Sequence, residues 1–326
     1  MPEPILEVRD LKMYYETMKG DVKAVDDVSF TLQKGEAMGL AGESGCGKSS
    51  VAMTLIKLQA YNAKILDGEI LLNGKNILDM NDEVVRREVR WKKISMVPQA
   101  AMNALNPVFT VKEQIIEAIL AHENVSEKEA EVRTIKLLER VGIDPSRVGN
   151  YPHEFSGGMK QRAMIAMALA DNPEIVIADE PTTALDVIVQ AQVLKVIKSL
   201  QRELGLAMIL ISHDLSVVAE ICDKTLIMYA GKIVENTLTD RLFSQPLHPY
   251  SIGLIGAFPK LTGKKKRLES IHGTPPNLLN PPNGCRFHPR CPYSKDVCKR
   301  LVPALIEPFE SHWVACHMVN KHPEYR

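Results

Sequence analysis

Between Gly42 and Ser49 the chain reads Gly-Glu-Ser-Gly-Cys-Gly-Lys-Ser, a spacing of glycines, lysine and hydroxyl suited to gripping a polyphosphate. Gly42, Gly45 and Gly47 let the backbone curl through positive φ, so that its amides point inward at a β-phosphate. The positive end of the helix that follows adds to this attraction. Lys48 would then reach the β- and γ-phosphates, and the Ser49 hydroxyl would ligate Mg²⁺. Glu43, Ser44 and Cys46 fill the loop and Ser50 continues its helix; the thiol of Cys46 inside the loop predicts sensitivity to alkylation. Further along, Ile175-Val-Ile-Ala-Asp179-Glu180 is an apolar run ending in two acids, which would bring two carboxylates to the end of a buried strand. Asp179 there would hold Mg²⁺, through water, and Glu180 would polarise an attacking water. His213 follows another apolar run and Gln99 ends Ile94-Ser-Met-Val-Pro-Gln; taken alone, each reads equally well as a structural or exposed polar residue.

These groups need elements to hold them. Gly35–Ala41 is a short buried strand feeding the glycine-rich loop, and Ser50–Leu58 is periodic like a helix. Residues 1–35 alternate as antiparallel strands with one wet face, and Gly68–Gly74 reads as a hairpin arm ending in an Asn-Gly turn. From Val111 to about Val141 the pattern is helical, with Ser126-x-x-Glu129 as the capping box of a long amphipathic helix. Glu174–Ala178 and Ala207–Ser212 are apolar runs of the kind buried parallel strands show, with helices between them. The expected core is therefore an α/β sheet with ligands at the strand ends. Past about residue 240 prolines gather, periodicity dissolves, and the segment needs a staple to stay folded.

Length and composition narrow the class. At 326 residues the chain suits one main domain plus an appendage. Forty basic and forty acidic residues leave no net field, which argues against a nucleic-acid partner. No apolar run approaches the ~20 residues of a membrane-spanning helix, and the N-terminal residues lack a secretory pattern, so a soluble cytoplasmic chain is expected, which leaves docking onto a membrane protein open. Cys285, Cys291, Cys298 and Cys316 crowd the last part of the chain, where disulfides are not expected in such a protein and a metal site is. Their wide spacing lacks the tight Cys-x-x-Cys pair common in structural zinc sites, which tilts away from zinc; four thiolates can also hold a [4Fe–4S] cluster, and free thiols remain the third alternative. The basic residues among them, Arg286 and Arg290 included, would offset cluster charge or simply be solvated. Lys264–Arg267 reads as a solvated basic linker.

Taken in order, the pieces resemble the ATP-binding-cassette (ABC) ATPases. The resemblance rests on the phosphate loop, Gln99, Phe155-Ser-Gly-Gly-Met-Lys-Gln161, Asp179-Glu180, Thr183-Ala-Leu-Asp186 and His213. It implies a RecA-like P-loop core with an antiparallel β subdomain and a helical subdomain at about 100–160, all within residues 1–240. It also implies roles: Tyr15, with Tyr14 as competitor, stacks on adenine, and Gln99 contacts Mg²⁺ and senses a transmembrane partner. His213 touches the γ-phosphate, Asp186 belongs to the D-loop, and Ser156, Gly157 and Gly158 form a second anion site for the ATP of an opposing cassette. One phosphate loop and one signature loop, Phe155–Gln161, per chain then demand a second cassette, a homologue or another copy of this chain.

A narrower resemblance, to the dipeptide/oligopeptide (peptide/nickel) importer branch, is carried by four stretches. These are Ala104-Leu-Asn-Pro-Val108, Tyr151-Pro-His-Glu-Phe, Pro246-Leu-His-Pro-Tyr250 and Gly284-Cys-Arg-Phe-His-Pro-Arg-Cys-Pro292. It implies a small irregular C-terminal extension at 241–326 whose four cysteines carry a [4Fe–4S] cluster, as some members of the branch do, together with two transmembrane permease subunits and an extracytoplasmic solute-binding protein. The function implied is ATP hydrolysis at the inner membrane face that drives uptake of peptide, or of another solute such as nickel. A soluble ABC ATPase of translation or DNA repair is the rival class, and this chain has neither the tandem cassettes nor the coiled-coil insertion such proteins usually carry.

Overall fold

The computed structural model describes residues 3–99, 101–257 and 271–319, so the Lys264–Arg267 run lies outside the described residues. They divide into two compact units, each drawn from separate stretches: Met1–Leu6, Leu32–Ala37 and Leu72–Ile211 in one; Glu7–Thr31, Met38–Leu71 and Ser212–Arg326 in the other.

In the first unit three parallel strands, Ile94–Val97, Ile175–Asp179 and Ala207–Ser212, pair with Ile175 opposite both Ile94 and Ala207. All residues of the last two strands are buried, which explains why their sequence is a continuous apolar run instead of an alternation. Helices Val111–His122 and Glu127–Arg140 occupy the predicted helical stretch. Ser126 does cap the second, accepting from Glu129 N at 3.2 Å. The capping box with both arms made is at the preceding helix, between Thr110 and Glu113. Asn73 (φ 48°) and Gly74 (φ 76°) both adopt the left-handed conformation that the Asn-Gly turn requires. Ser156 and Asp186 cap the helices Gly157–Ala168 and Val187–Leu204.

In the second unit Ala37–Ala41 runs parallel to Lys224–Tyr229, which pairs antiparallel with Lys232–Leu238. That strand takes His312–Val314 on its other side, followed by Ile306–Phe309, so the proline-rich tail is more regular than its sequence suggests. A second sheet sets Leu6–Thr17 between Gly20–Leu32 and Ala63–Leu72. Two features replace periodicity as the glue of the tail. Phe287 is 2% exposed and packs its ring against Tyr229 and Tyr250, at centroid distances of 5.2 and 5.4 Å. Buried Glu235 accepts from Leu247 N (2.7 Å), His248 N (2.8 Å) and His312 Nε2 (2.7 Å), so its carboxylate is well partnered inside the tail. Among the described residues no helix is long and apolar enough to cross a membrane.

Candidate functional site

The glycine-rich loop leaves the buried strand Ala37–Ala41 and enters the helix Lys48–Leu55. Crowding dictates its glycines. A Cβ on Gly47 (φ 107°) would stand 2.0 Å from Ala24 O, and one on Gly42 2.1 Å from Met228 O. Lys48, only 5% exposed, folds its ammonium back over the loop, donating to Gly42 O (2.8 Å) and Glu43 O (3.1 Å). The cation thus lies at the concave face where phosphates would sit. Cys46 overturns the alkylation expectation: it is 3% exposed, and burial pushes its thiol pKa up, although Lys48 opposes the shift. A buried protonated thiol is a poor nucleophile.

Tyr15 stands against the loop helix, its hydroxyl 3.0 Å from Ser50 Oγ. Tyr14, the competitor for an aromatic role, instead donates to Asp26 Oδ1 at 2.8 Å. Burial and this bond push its phenol up to about 12. Ser44 and Ser49 occupy the loop and the first turn of its helix, as the spacing predicts. His213 is exposed directly after the strand Ala207–Ser212. The next residue, Asp214, caps the helix Leu215–Ile221.

In the other unit Asp179 closes its strand at 2% exposure, and the chain then turns sharply. Glu180 takes φ 47°, a left-handed conformation that costs a side-chain-bearing residue about a kcal/mol or more. Its amide donates to Ile211 O at 2.9 Å, and its carboxylate accepts from Gln99 Nε2 (3.1 Å) and Thr183 Oγ1 (3.0 Å). Gln99, Glu180 and the start of the Thr183–Asp186 motif are therefore one hydrogen-bonded group. Asp186 caps the following helix through Ile188 N (3.1 Å) and Val189 N (3.0 Å). Ser156 caps the signature helix, accepting from Met159 N at 3.4 Å, with Gly157 in its first turn. Gly158 faces Val189, where a Cβ would approach Cγ1 to 2.3 Å. Signature and D-loop helices thus touch at a point that only glycine allows.

The four tail cysteines are unbridged. Burial pushes Cys285 up to about 12, and Cys316, Cys298 and Cys291 add to that shift, so the four thiols lie within electrostatic reach of one another. No group of three or more His, Cys, Asp or Glu side chains among the described residues stands close enough to hold a single metal ion. The neighbouring histidines are engaged elsewhere: His288 Nδ1 contacts Cys285 O, His312 the buried Glu235, and His317 donates to Leu301 O.

Sequence reasoning missed how the tail meets the phosphate loop. Arg290 Nη1 and Nη2 grip the two carboxylate oxygens of Glu43 at 2.6 and 2.9 Å, and Glu43 N donates to Tyr250 OH at 2.9 Å. Arg286, 8% exposed, is bonded to Asp26 and to Ala230 O. Neither arginine is solvated. The usable signal was their place in the Cys285–Cys291 stretch, but nothing local identifies acids more than two hundred residues away.

Comparison with known proteins completes the site. An ABC transporter family profile matches residues 25–183, and one for the oligopeptide/dipeptide transporter C-terminal region matches 234–298. The chain is 47% identical over 307 residues to the oligopeptide transport ATP-binding protein OppD of Salmonella typhimurium, covering 93% of this chain and 91% of that one. It is 45% identical over 326 residues to the dipeptide transport ATP-binding protein DppD of Bacillus subtilis, covering 99% and 97%. Among solved structures, the dimeric ATP-binding cassette MJ0796 bound to ADP and Pi matches at 25% identity and TM-score 0.65, over 72% of this chain and 98% of that one. The cbiO1 cassette of Clostridium perfringens matches at 26% identity and TM-score 0.65, over 75% and 92%. The fold is that of an ABC ATPase, and by identity sustained over nine-tenths of its length the chain belongs to the family of ATP-binding subunits of oligopeptide and dipeptide ABC transporters.

Proposed function

We propose that this chain binds and hydrolyses ATP at the cytoplasmic membrane face to drive uptake of di- and oligopeptides. It does so clamped against a second, homologous cassette, below two permease subunits supplied by an extracytoplasmic binding protein. The observation that carries the reading is the bond from Gln99 to Glu180, which ties the residue expected to sense the permease to the carboxylate expected to act on water. Relatives named for oligopeptide and dipeptide transport support the peptide substrate.

Each residue then has a task. The amides of the Gly42–Ser49 loop other than those of Glu43 and Cys46, together with the Lys48 ammonium, hold the phosphates, and Tyr15 stacks on adenine. Glu180 Oε takes a proton from the water that attacks the γ-phosphate; the Gln99 and Thr183 bonds orient it. His213 donates to a γ-phosphate oxygen. Ser156, Gly157 and Gly158 offer hydroxyl and amides at a helix N-terminus to the opposing protomer's ATP, and Asp186 fixes the helix beside them. The donor set for Mg²⁺ fits a hard cation: a hydroxyl at Ser49, a buried carboxylate at Asp179 and the amide oxygen of Gln99. When bound, Mg²⁺ neutralises charge on the phosphate oxygens.

The tail's donor set is all sulfur, which suits iron–sulfur or zinc chemistry. Cys285, Cys291, Cys298 and Cys316 are assigned to a [4Fe–4S] cluster that staples the tail, with zinc as the alternative; the reading is supported by four unbridged thiols of which Cys316, Cys298 and Cys291 act electrostatically on Cys285. Anaerobically purified protein is expected to contain iron and to absorb broadly in the visible; neither being present refutes the assignment.

For the motor itself, Glu180→Gln should retain ATP binding, accumulate the closed cassette dimer and lose turnover by ~10²–10⁴-fold. Hydrolysis at the wild-type rate in that variant, measured in vesicles holding the assembled transporter, would refute the role of Glu180.

A further inference from the structure

The C-terminal segment does more than hang from the cassette: it touches the phosphate loop at its one acidic residue. Glu43 lies immediately after Gly42, and both its backbone and its side chain are held by residues from beyond position 249. The backbone amide donates to Tyr250 OH at 2.9 Å. The carboxylate takes both arms of the Arg290 guanidinium at 2.6 and 2.9 Å. Arg290 is itself held by two further residues, His272 and Tyr229. Its Nε donates to His272 O at 2.9 Å, its Nη1 lies 3.4 Å from Tyr229 OH, and its guanidinium carbon is 5.8 Å from the Tyr229 ring centroid. The Arg290 side chain is 5% exposed and that of Glu43 27%, so the pair is largely out of water, where a bidentate bond keeps its strength.

A second strut stands four residues earlier. Arg286 bonds Ala230 O and Asp26, and the next residue, Gly231, donates to Cys46 O of the phosphate loop at 2.8 Å. Phe287, next in the chain after Arg286, packs against Tyr229 and Tyr250. The stretch from Arg286 to Arg290 therefore reaches the loop at Glu43 directly and at Cys46 through Gly231.

From this geometry we infer that Arg290 is a positioning residue for ATP binding, which sets the conformation and charge of the phosphate loop through Glu43. Two effects act together. The fork and the Tyr250 hydroxyl hold the loop in one shape before nucleotide arrives, which lowers the ordering cost of binding. The guanidinium also cancels a carboxylate that would otherwise face a triphosphate across a few residues of backbone. The strut is flanked by Cys285 and Cys291, so the ordering of the four-cysteine segment is felt at the nucleotide loop.

The test uses the full chain and a fluorescent ATP analogue for affinity, with steady-state turnover in the assembled transporter. Arg290→Gln should raise both the analogue Kd and the KM for ATP about tenfold, equivalent to about 1.4 kcal/mol, with a much smaller change in kcat. Arg290→Lys keeps the charge but not the fork and should fall between wild type and Arg290→Gln. Glu43→Gln removes the same pair without leaving a bare acid, so its defect should be milder. The double variant Arg290→Gln/Glu43→Gln should return to the Glu43→Gln level, a rescue that a merely structural arginine would not give. Because Glu43 is partly exposed, Glu43→Gln keeps the test decisive even if Arg290→Gln folds poorly. Unchanged ATP affinity in the single variants, or additive losses in the double, overturns the inference. A wild-type chain that binds no ATP at all would instead strike at the family assignment beneath it.

Discussion

Gly158→Ala probes the contact between the signature helix and the D-loop helix. The added Cβ would meet Val189 Cγ1 at 2.3 Å, more than an ångström inside an ordinary carbon–carbon contact of about 3.5–4.0 Å. Val189 is β-branched on a helix and holds one preferred rotamer, so it cannot swing away cheaply. Overpacking of this kind costs about 1–3 kcal/mol, with this overlap at the upper end. Alanine returns about 1 kcal/mol through helix propensity, leaving a net loss of about 2 kcal/mol. If the helices part instead, Ser156 moves with its helix, and an ångström of displacement at a catalytic group costs up to ~10²-fold in rate. The assay is urea unfolding of the chain together with ATP turnover in the assembled transporter. Adding Val189→Ala should relieve the clash, so the double variant should exceed the summed expectation of the singles by more than about 1 kcal/mol. Wild-type stability and turnover in Gly158→Ala, or strict additivity in the double variant, would refute the packing argument.

Two further outcomes follow from burial. Cys46 in the native chain should react with iodoacetamide much more slowly than the exposed thiol of a small reference compound and become fully reactive in urea; rapid native labelling at Cys46 would contradict its 3% exposure and raised pKa. Asp171 is 6% exposed, both its carboxylate oxygens lack a hydrogen-bond partner among the described residues, and burial raises it to about 6, with Glu123 adding to the shift. Because its folded pKa lies above the unfolded value of 3.8, its ionisation costs stability progressively as pH rises from about 4 through about 6. Asp171→Asn should therefore stabilise the chain at pH 8 by up to ~3 kcal/mol and be nearly neutral at pH 4, as measured by urea midpoints; equal effects at both pH values would count against it.

Much of the cassette was legible because its chemistry is written in short contiguous words. A phosphate loop needs glycines where the backbone must pass 2 Å from where a Cβ would meet a carbonyl, and those glycines stand next to the lysine and serine they serve. The Asn73-Gly74 turn and the Ser126 cap were equally local. Buried strands showed as apolar runs because both faces are covered. The regular strands of the tail were not legible: Ile306–Phe309 contains a proline, His312–Val314 has only three residues, and they owe their form to pairing, the second with Lys232–Leu238 and the first with the second.

The order of motifs along the chain was enough to determine the class of machine, since each motif brings its own backbone geometry. Which charges find each other was decided only by folding. Arg290 and Glu43 are 247 positions apart, and Tyr250 and Glu43 are 207 apart. A solvated arginine and one buried against an acid look the same in their local sequence. Their difference lies in desolvation and in bringing distant segments together, and neither of these leaves a trace in composition or period.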